Sequence, residues 1–429
     1  MTTKLTQLKL NNIGGFKSFE LNFHDSLTVL IGKNGLGKTT ILRSIALLFD
    51  RALEAALIKF NKSNEITPPS KFHLPVLLIN NNIREDIRAS SVKNIDKLSI
   101  SVDISIDDSQ FLLKVPANKK VPANKSELSK FLKKLLELHS EHLPLFVYYS
   151  IHNAPIADID FSSVDLETNI IAAYISALKE APFDFNHFFA WFKWQENIQR
   201  QDGNNKRYEI IRAAIYQMIS DEQNTFDNLH INWRENPDGD LCIEKNQVLL
   251  NINQLSAGEK TLMAFVADLA RRLIIANPKS DNPLQQDGIV LIDEIDLHLH
   301  PGWQRQIIPN LQKIFPSCQF IITTHSPQIL SHVKPESVFI LKQTENGIEY
   351  SNPEESYGKN TDRILEDLMD TDARPPKEKQ RLHELFGLIQ AKKLAEANGL
   401  IDELQTEIGM DSELVKAKVL LKRMEIIGK

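Results

Sequence analysis

The sequence predicts an α/β fold with a mainly helical insertion and a helical C-terminal region. Residues 27–31 and 289–292 are short apolar runs, typical of strands that are buried on both faces. A glycine-rich turn follows the first run and leads into an amphipathic helix. Four apolar side chains share one face of that helix: Ile41, Leu42, Ile45 and Leu48.

Composition limits the class of protein. The 429 residues are 42% hydrophobic and 25% charged, an ordinary soluble composition that allows two or three structural units. The net charge of −6 argues against nucleic-acid binding over the whole surface and leaves room for local basic patches. Cys242 and Cys318 lack metal-ligand neighbours, which predicts reduced thiols. With no signal pattern and no membrane-spanning apolar run, we expect a cytoplasmic protein without membrane partners.

The glycine-rich turn is the most informative stretch. It reads GKNGLGKT and fits the pattern G-x-x-x-x-G-K-[ST] without a mismatch. Glycines let backbone N–H groups surround phosphate oxygens, and the N-terminus of the following helix adds unpaired donors. We expect Lys38 to contact the β- and γ-phosphates of a nucleotide and Thr39 to ligate Mg²⁺. The predicted nucleotide-binding residues are Gly32, Lys33, Asn34, Gly35, Leu36, Gly37, Lys38, Thr39 and Thr40.

The first lobe, predicted over residues 1–114, is mostly β. Residues 4–23 alternate around Gly14-Gly15 and predict two strands that lie beside the strand of the phosphate loop. Residues 74–79 and 98–106 are further strand candidates, and the second alternates cleanly between apolar and polar positions.

The predicted insertion spans residues 115–245. It opens with a lysine run from Lys114 to Lys134, which holds seven lysines, one acid and a duplicated VPANK unit. The run is either a contact surface for phosphate backbones or a solvated helix face. Residues 165–235 are predicted to be mainly helical, with an aromatic cluster in the core, and residues 228–250 to form two or three strands.

A loop-to-helix junction follows in the stretch INQLSAGEKTLM, residues 252–263. Ser256 is a good N-cap and Glu259 stands three residues later, so a purely structural capping box is one interpretation. The other is a second phosphate-binding helix N-terminus, with Ser256, Gly258 and Glu259 at the nucleotide.

The stretch GIVLIDEIDLHLHP, residues 288–301, places two acids after a buried strand. Asp293 is placed to hold Mg²⁺ through its water shell, and Glu294 to orient and polarise the attacking water. Another apolar run, QFIITTH, delivers His325. Asp296, His298 and His300 are compatible with a metal site, or with a structural or dimer-contact role in a turn ending at Pro301.

Together these motifs resemble the ABC-type ATPases of the RecF/SMC-like branch, which are P-loop NTPases. LSAGEK corresponds to the signature motif, residues 289–294 to the Walker B motif, residues 296–301 to the D-loop and His325 to the switch histidine. In this family the ATPase head is split by an insertion, so residues 246–350 would be its second lobe. The family's glutamine-loop residue has no clear match near residues 79–88.

The resemblance implies an ATPase with ATP and Mg²⁺ as cofactors, and Glu294 and His325 as catalytic residues. It also implies a homodimer, or a higher oligomer, with nucleotide between two protomers. Ser256 and Gly258 of one protomer would face the γ-phosphate held by the other.

Residues 351–429 begin in a polar linker and continue as short amphipathic helices. On the first of these helices Leu382, Leu385, Phe386 and Ile389 share one face. They are a helical cap on the head or a partner-binding region. YGKNTDRILEDLMDTDARP here, with FNHFFAWFKWQE at 185–196, is similar to ATPases of Septu and retron-associated anti-phage systems, the PtuA family. That resemblance implies a small HNH nuclease partner, PtuB-like, acting on DNA or RNA. A retron reverse transcriptase with its non-coding RNA is a further implied partner.

Three functions therefore compete. The leading hypothesis is an ATP-hydrolysing subunit of a defence complex whose nuclease is a separate protein, with hydrolysis that is slow or regulatory. The second is a self-contained nuclease of the OLD type, which needs a Toprim domain with a strand-borne Glu and an Asp-x-Asp pair. Asp370-Thr-Asp372 is the sole Asp-x-Asp candidate after His325 and adjoins a Pro-rich turn. The third is a DNA-repair clamp similar to RecF.

Overall fold

The computed structural model describes residues 2–62, 99–107, 109–116, 130–131, 134, 144–150, 170–174, 176–178, 185–234 and 236–427. Its contacts divide the chain into two units, Met1–Lys359 and Asn360–Lys429. The strand predicted over 74–79, the stretch 79–88 and most of the lysine run lie outside the described residues.

The first unit contains every strand that the described residues form. In chain order the strands are β1 (Thr3–Ile13), β2 (Phe16–Asn22), β3 (Leu27–Ile31), β4 (Ser99–Ile106), β5 (Ser109–Pro116), β6 (Leu145–Ser150), β7 (Phe226–Asn232), β8 (Asp240–Lys245), β9 (Val248–Asn251), β10 (Gly288–Asp293), β11 (Cys318–Thr323), β12 (Val338–Thr344) and β13 (Gly347–Ser351).

Of the longer helices that the structure describes, five lie in the first unit and three in the second. In chain order they are α1 (Lys38–Lys62), α2 (Phe185–Asp202), α3 (Lys206–Ile219), α4 (Ala257–Ala276), α5 (Pro301–Ile314), α6 (Pro376–Gln390), α7 (Leu394–Ile408) and α8 (Ser412–Ile427). Single helical turns lie at Ile170–Tyr174, Ile252–Gln254, Pro283–Gln285, Pro327–Leu330, Pro335–Ser337, Thr361–Arg363 and Ile364–Leu368. None of the described helices is both long and apolar enough to cross a bilayer.

The six-stranded sheet at the centre of the first unit has the order β13-β12-β3-β11-β10-β6. β6, β10, β11, β3 and β12 run parallel, and β13 is an antiparallel edge strand. Every residue of β3, β6, β10 and β11 is buried, which explains why these strands read as apolar runs. The predicted α/β class and its central strands are confirmed. The carboxyl ends of β3, β11 and β10 meet at one edge.

The N-terminal strands form a different sheet from the one predicted. β1 and β2 are present with the turn at Gly14-Gly15, but they belong to an antiparallel sheet of order β2-β1-β4-β5. The prediction that they lie beside β3 is wrong, because the neighbours of β3 are β11 and β12. β2, with its polar exposed face, suits a hairpin, whereas β3 needs neighbours that are buried on both faces. Buried Gln319 joins the two sheets, donating to the Leu5 carbonyl at 2.9 Å and accepting from its N–H at 2.7 Å.

The range 115–245 holds β6, β7 and β8 as well as the predicted helices α2 and α3. Five aromatic side chains of α2 are buried, as predicted for a core cluster: Phe185, Phe188, Phe189, Trp191 and Phe192. Trp194 of the same predicted cluster is half-buried, and Phe183 lies outside the described residues. β7, β8 and β9 form an antiparallel sheet of their own, with the turn closed by the Gly239 N–H on the Asn236 carbonyl at 2.9 Å. The prediction of two or three strands around this turn is confirmed, and three are present among the described residues.

The second unit is helical, and no strand occurs in its described part, residues 360–427. Its core is built from α6, α7 and α8: Leu382, Leu385, Ile389, Ala397, Ile401, Leu404, Leu414, Ala417 and Leu421. The apolar face of α6 is therefore used inside this unit. A strand-borne Glu of the Toprim type has no place in these residues.

Candidate active site

The phosphate loop connects β3 to α1 through three glycines with positive φ. Gly32, Gly35 and Gly37 have φ of 146°, 85° and 84°. A Cβ at Gly37 would lie 2.5 Å from the ring of Phe16, and one at Gly32 would lie 2.8 Å from the Leu341 carbonyl oxygen. Only glycine fits these two positions, so the backbone of the loop is free to surround an anion.

Lys38 opens α1 and folds back over the loop. Its Nζ donates to the Gly32 carbonyl at 2.7 Å and to the Lys33 carbonyl at 3.4 Å. Burial lowers the pKa of Lys38, and the carboxylates of Glu294, Asp293 and Asp296 act in the opposite direction. The ammonium group is therefore poorly hydrated and stands within the field of the acids that follow β10.

Asp293 ends β10 with its side chain 1% exposed. Its Oδ1 accepts from the Thr323 hydroxyl at 2.6 Å, and its Oδ2 is buried without a hydrogen-bond partner. A buried carboxylate oxygen without a partner is unfavourable unless a cation or a cation-bound water meets it. Glu294 follows in the left-handed region, with φ of 54°, and its N–H donates to the same hydroxyl at 2.7 Å.

His325 lies on the loop that follows β11. Its N–H donates to Asp296 Oδ1 at 3.2 Å, and the Thr324 hydroxyl donates to the same oxygen at 2.6 Å. Burial lowers the pKa of the half-buried imidazole and the Lys38 charge lowers it further, while Asp296, Glu294 and Asp293 oppose the shift. His325 is therefore neutral at physiological pH, with one ring nitrogen free to donate and the other to accept.

The turn from Asp296 to Pro301 is held by its own contacts. His300 Nδ1 accepts from the Gly302 N–H at 3.2 Å and caps α5. The Gln304 amide donates to the carbonyls of Asp296 at 3.2 Å and Leu299 at 2.9 Å. Across the part of the chain that the structure describes, no three His, Cys, Asp or Glu side chains are grouped to hold a metal ion. The structural turn is the interpretation that these contacts support.

The start of α4 carries the predicted capping box. Ser256 Oγ accepts from the Glu259 N–H at 3.3 Å, and Glu259 Oε2 accepts from the Ser256 N–H at 2.7 Å. Glu259 Oε1 also pairs with Lys245 Nζ at 2.6 Å, so both carboxylate oxygens have partners. A Cβ at Gly258 would lie 2.9 Å from the His298 carbonyl oxygen, which places this helix start directly against the turn. A nucleotide contact by Ser256, Gly258 or Glu259 stays a prediction.

The structure thus brings Lys38, Asp293, Glu294 and His325 to one edge of the central sheet. The sequence predictions did not include Thr323, which contacts Asp293 and Glu294. The sequence signal for Thr323 is weak, because a hydroxyl residue at the end of an apolar strand can have many structural roles.

Residues 27–331 match the family model described as "AAA domain, putative AbiEii toxin, Type IV TA system". The chain belongs to this family of ATPase domains. It is 29% identical to the retron Ec83 probable ATPase of Escherichia coli, over 98% of this chain and 87% of that protein. It is 31% identical to the retron Vc95 probable ATPase of Vibrio cholerae, over 86% and 80% of the two chains. It is 25% identical to the Septu protein PtuA of Bacillus thuringiensis, over 86% and 84%.

Family membership and these relatives confirm the resemblance to Septu and retron ATPases. ATPases of this kind bind a nucleotide, typically with Mg²⁺, and the residues present fit both groups. The glycine loop leaves room for phosphates, and Lys38 supplies a buried positive charge beside it. Thr39 stands in the first turn of α1, and Asp293 presents its unpartnered Oδ2. Hydroxyl and carboxylate oxygens are ligands that suit Mg²⁺, directly or through its water shell.

Proposed function

We propose that the chain is the ATP-binding and ATP-hydrolysing subunit of a bacterial anti-phage complex and that it controls a separate HNH nuclease. The observation that carries the ATPase part is the convergence of Lys38, Asp293, Glu294 and His325 at the carboxyl edge of β3, β10 and β11. The defence context is supported by relatives that carry retron and Septu names. The same relatives favour this function over a RecF-like repair clamp.

In this proposal each residue has a stated task. Lys38 and the loop N–H groups would bind the β- and γ-phosphates, and Thr39 and Asp293 would hold Mg²⁺, which would supply positive charge beside the phosphates. Glu294 orients a water molecule and accepts its proton. His325, neutral at physiological pH, hydrogen-bonds at the γ-phosphate. Ser256 and Gly258 of a second copy complete the site across a nucleotide-bound dimer.

The ATPase part is tested with Lys38→Ala, because this lysine compensates phosphate charge directly. Calorimetry should show ATP binding lost, and phosphate release should fall to background. Lys342→Ala is the matched control, since Lys342 is an exposed lysine on β12. Unchanged ATP affinity in Lys38→Ala would remove the phosphate loop from the proposal.

For the nuclease, we propose a binding surface on the second unit, residues 360–429. Because the α6 face is buried in that unit's own core, the docking surface is assigned to α8. Val415, Val419 and Ile426 are spaced four and seven residues apart and are 48%, 62% and 75% exposed. Lys418 and Lys422 flank them. An exposed apolar stripe with basic flanks suits an acidic amphipathic helix of the nuclease.

Val419→Lys in the full-length chain tests this surface. The variant should keep ATP hydrolysis, lose co-purification of the co-expressed nuclease and lose protection of cells against phage. Val248→Lys is the matched control, a valine on β9 that is 59% exposed. If Val419→Lys retains the nuclease at the wild-type ratio, the docking surface lies elsewhere. The same proposal includes DNA or RNA as the final target of the nuclease. It also includes a reverse transcriptase with its RNA as further partners.

A further inference from the structure

Thr323 is the last residue of β11 and is fully buried. Its hydroxyl donates to Asp293 Oδ1 at 2.6 Å and accepts from the Glu294 N–H at 2.7 Å. Its carbonyl oxygen accepts from the Ile295 N–H at 3.1 Å. Thr323 therefore binds three consecutive residues, from the last residue of β10, Asp293, to Ile295.

The first of these bonds fixes the Asp293 carboxylate. A threonine hydroxyl has one proton, and here it goes to Oδ1, so Oδ1 is engaged and rotation of the carboxylate is restricted. Oδ2 is the oxygen left buried and without a partner. Thr323 thereby selects which carboxylate oxygen remains available to a cation or its water shell.

The second bond fixes the backbone of Glu294. A non-glycine residue with φ of 54° is in an unfavourable region, and it stays there only when its surroundings determine the conformation. The Glu294 N–H on the Thr323 hydroxyl and the Ile295 N–H on the Thr323 carbonyl bracket the residue on both sides. Thr323 therefore sets the direction in which the Glu294 side chain leaves the backbone.

The sheet itself does not require a hydroxyl at this position. The parallel pairing of β10 with β11 ends at Ile292 and Ile322, one residue before Thr323. The preceding residues of β11, Phe320, Ile321 and Ile322, are apolar and buried. A valine would fill the same space, so the hydroxyl serves the two acids.

We propose that Thr323 is a positioning residue for ATP hydrolysis, which holds Asp293 for the divalent cation and Glu294 for the attacking water. This inference rests on the proposed ATPase function. It assigns to Thr323 an effect on metal affinity and on turnover, with nucleotide binding by the phosphate loop left intact.

The test compares Thr323→Val, which removes donor and acceptor at nearly constant volume, with Thr323→Ser, which keeps both. Mn²⁺ binding in the presence of a non-hydrolysable ATP analogue is measured by electron paramagnetic resonance, and kcat and KM for ATP are measured separately. Thr323→Val should weaken Mn²⁺ binding and lower kcat, each by roughly 10–100-fold, with little change in KM. Thr323→Ser should restore both quantities towards the wild type.

Thr28→Val is the control. Thr28 is a fully buried threonine on β3, and its hydroxyl accepts from the His24 N–H at 3.0 Å. Wild-type Mn²⁺ affinity and kcat in Thr323→Val would overturn the inference, as would equal losses in Thr28→Val. A wild type that binds Mn²⁺ and the analogue but does not hydrolyse ATP would overturn the proposed function instead. The Mn²⁺ comparison would then still decide whether Thr323 holds Asp293 for the divalent cation.

Discussion

Two glycines of the phosphate loop offer a controlled test of its packing. Gly35 and Gly37 have nearly the same φ, 85° and 84°. A Cβ at Gly35 would meet nothing within 4 Å, whereas a Cβ at Gly37 would lie 2.5 and 2.7 Å from two ring atoms of Phe16. Gly35→Ala therefore measures backbone strain alone, and Gly37→Ala measures strain plus a clash.

The expected magnitudes follow from these distances. An alanine held at positive φ costs about 1–3 kcal/mol in the free energy of unfolding, and both variants share this cost. Gly37→Ala should lose about 1–3 kcal/mol more, the usual cost of overpacking a core. The Phe16 ring has little room to retreat, because it is fully buried and its centroid is 4.6 Å from that of Phe19.

Urea unfolding without nucleotide, followed by tryptophan fluorescence, measures the difference. All four tryptophans lie in the first unit, so the signal reports that unit: Trp191, Trp194, Trp233 and Trp303. Adding Phe16→Ala should shrink the extra cost of Gly37→Ala, because the clashing ring is gone. Equal stability of Gly35→Ala and Gly37→Ala, or an extra cost that survives Phe16→Ala, would refute this reasoning.

Three further predictions concern titratable groups. The buried Asp268 carboxylate lies 2.8 Å from Arg271 Nη2 and 2.7 Å from Arg272 Nε. Asp268→Asn should therefore lower the free energy of unfolding, measured in urea, by about 3–5 kcal/mol. Asp281→Asn, at an exposed position, should change it by almost nothing. Burial raises the pKa of Asp268, but the two arginines outweigh it, so the pKa is lowered. Asp268 therefore stabilises the folded protein above its ordinary pKa, and this stabilisation is lost as the pH falls below that value. A loss of stability that begins at neutral pH would contradict this. The pKa of His325 is also lowered, so ATP hydrolysis should hold down to its ordinary pKa of about 6.5 and decline below it, and a His325→Gln variant should lack that decline in a pH–rate profile.

Sequence reasoning reached the parts of the site that are encoded locally. The spacing of Gly32, Gly37 and Lys38 defines a loop, and the place of Asp293 after an apolar run defines a strand end. Contacts between distant segments are not encoded in this way. Thr323 acts on Asp293 across 30 positions of sequence, and a single threonine gives no sign of its partner.

The same limit explains one error of placement and one question left open. Alternation in residues 4–23 predicts strands but not which strands they pair with, so β4 was missed as the neighbour of β1. An apolar face on a helix predicts burial but not the surface that covers it. Leu382, Leu385 and Ile389 share such a face in a region predicted to cap the head or to bind a partner, and they pack into the core of the second unit itself.

The proposed hydrolysis is tested most directly by the nucleotide that remains bound after incubation with ATP and Mg²⁺. Wild type and Glu294→Gln are incubated with labelled ATP, freed of unbound nucleotide and analysed for bound ATP and ADP. Glutamine orients a water molecule but does not accept its proton, so the variant should retain intact ATP while the wild type holds ADP. ADP formed by Glu294→Gln at the wild-type rate would contradict the role of Glu294, and a wild type that retains only intact ATP would contradict hydrolysis itself.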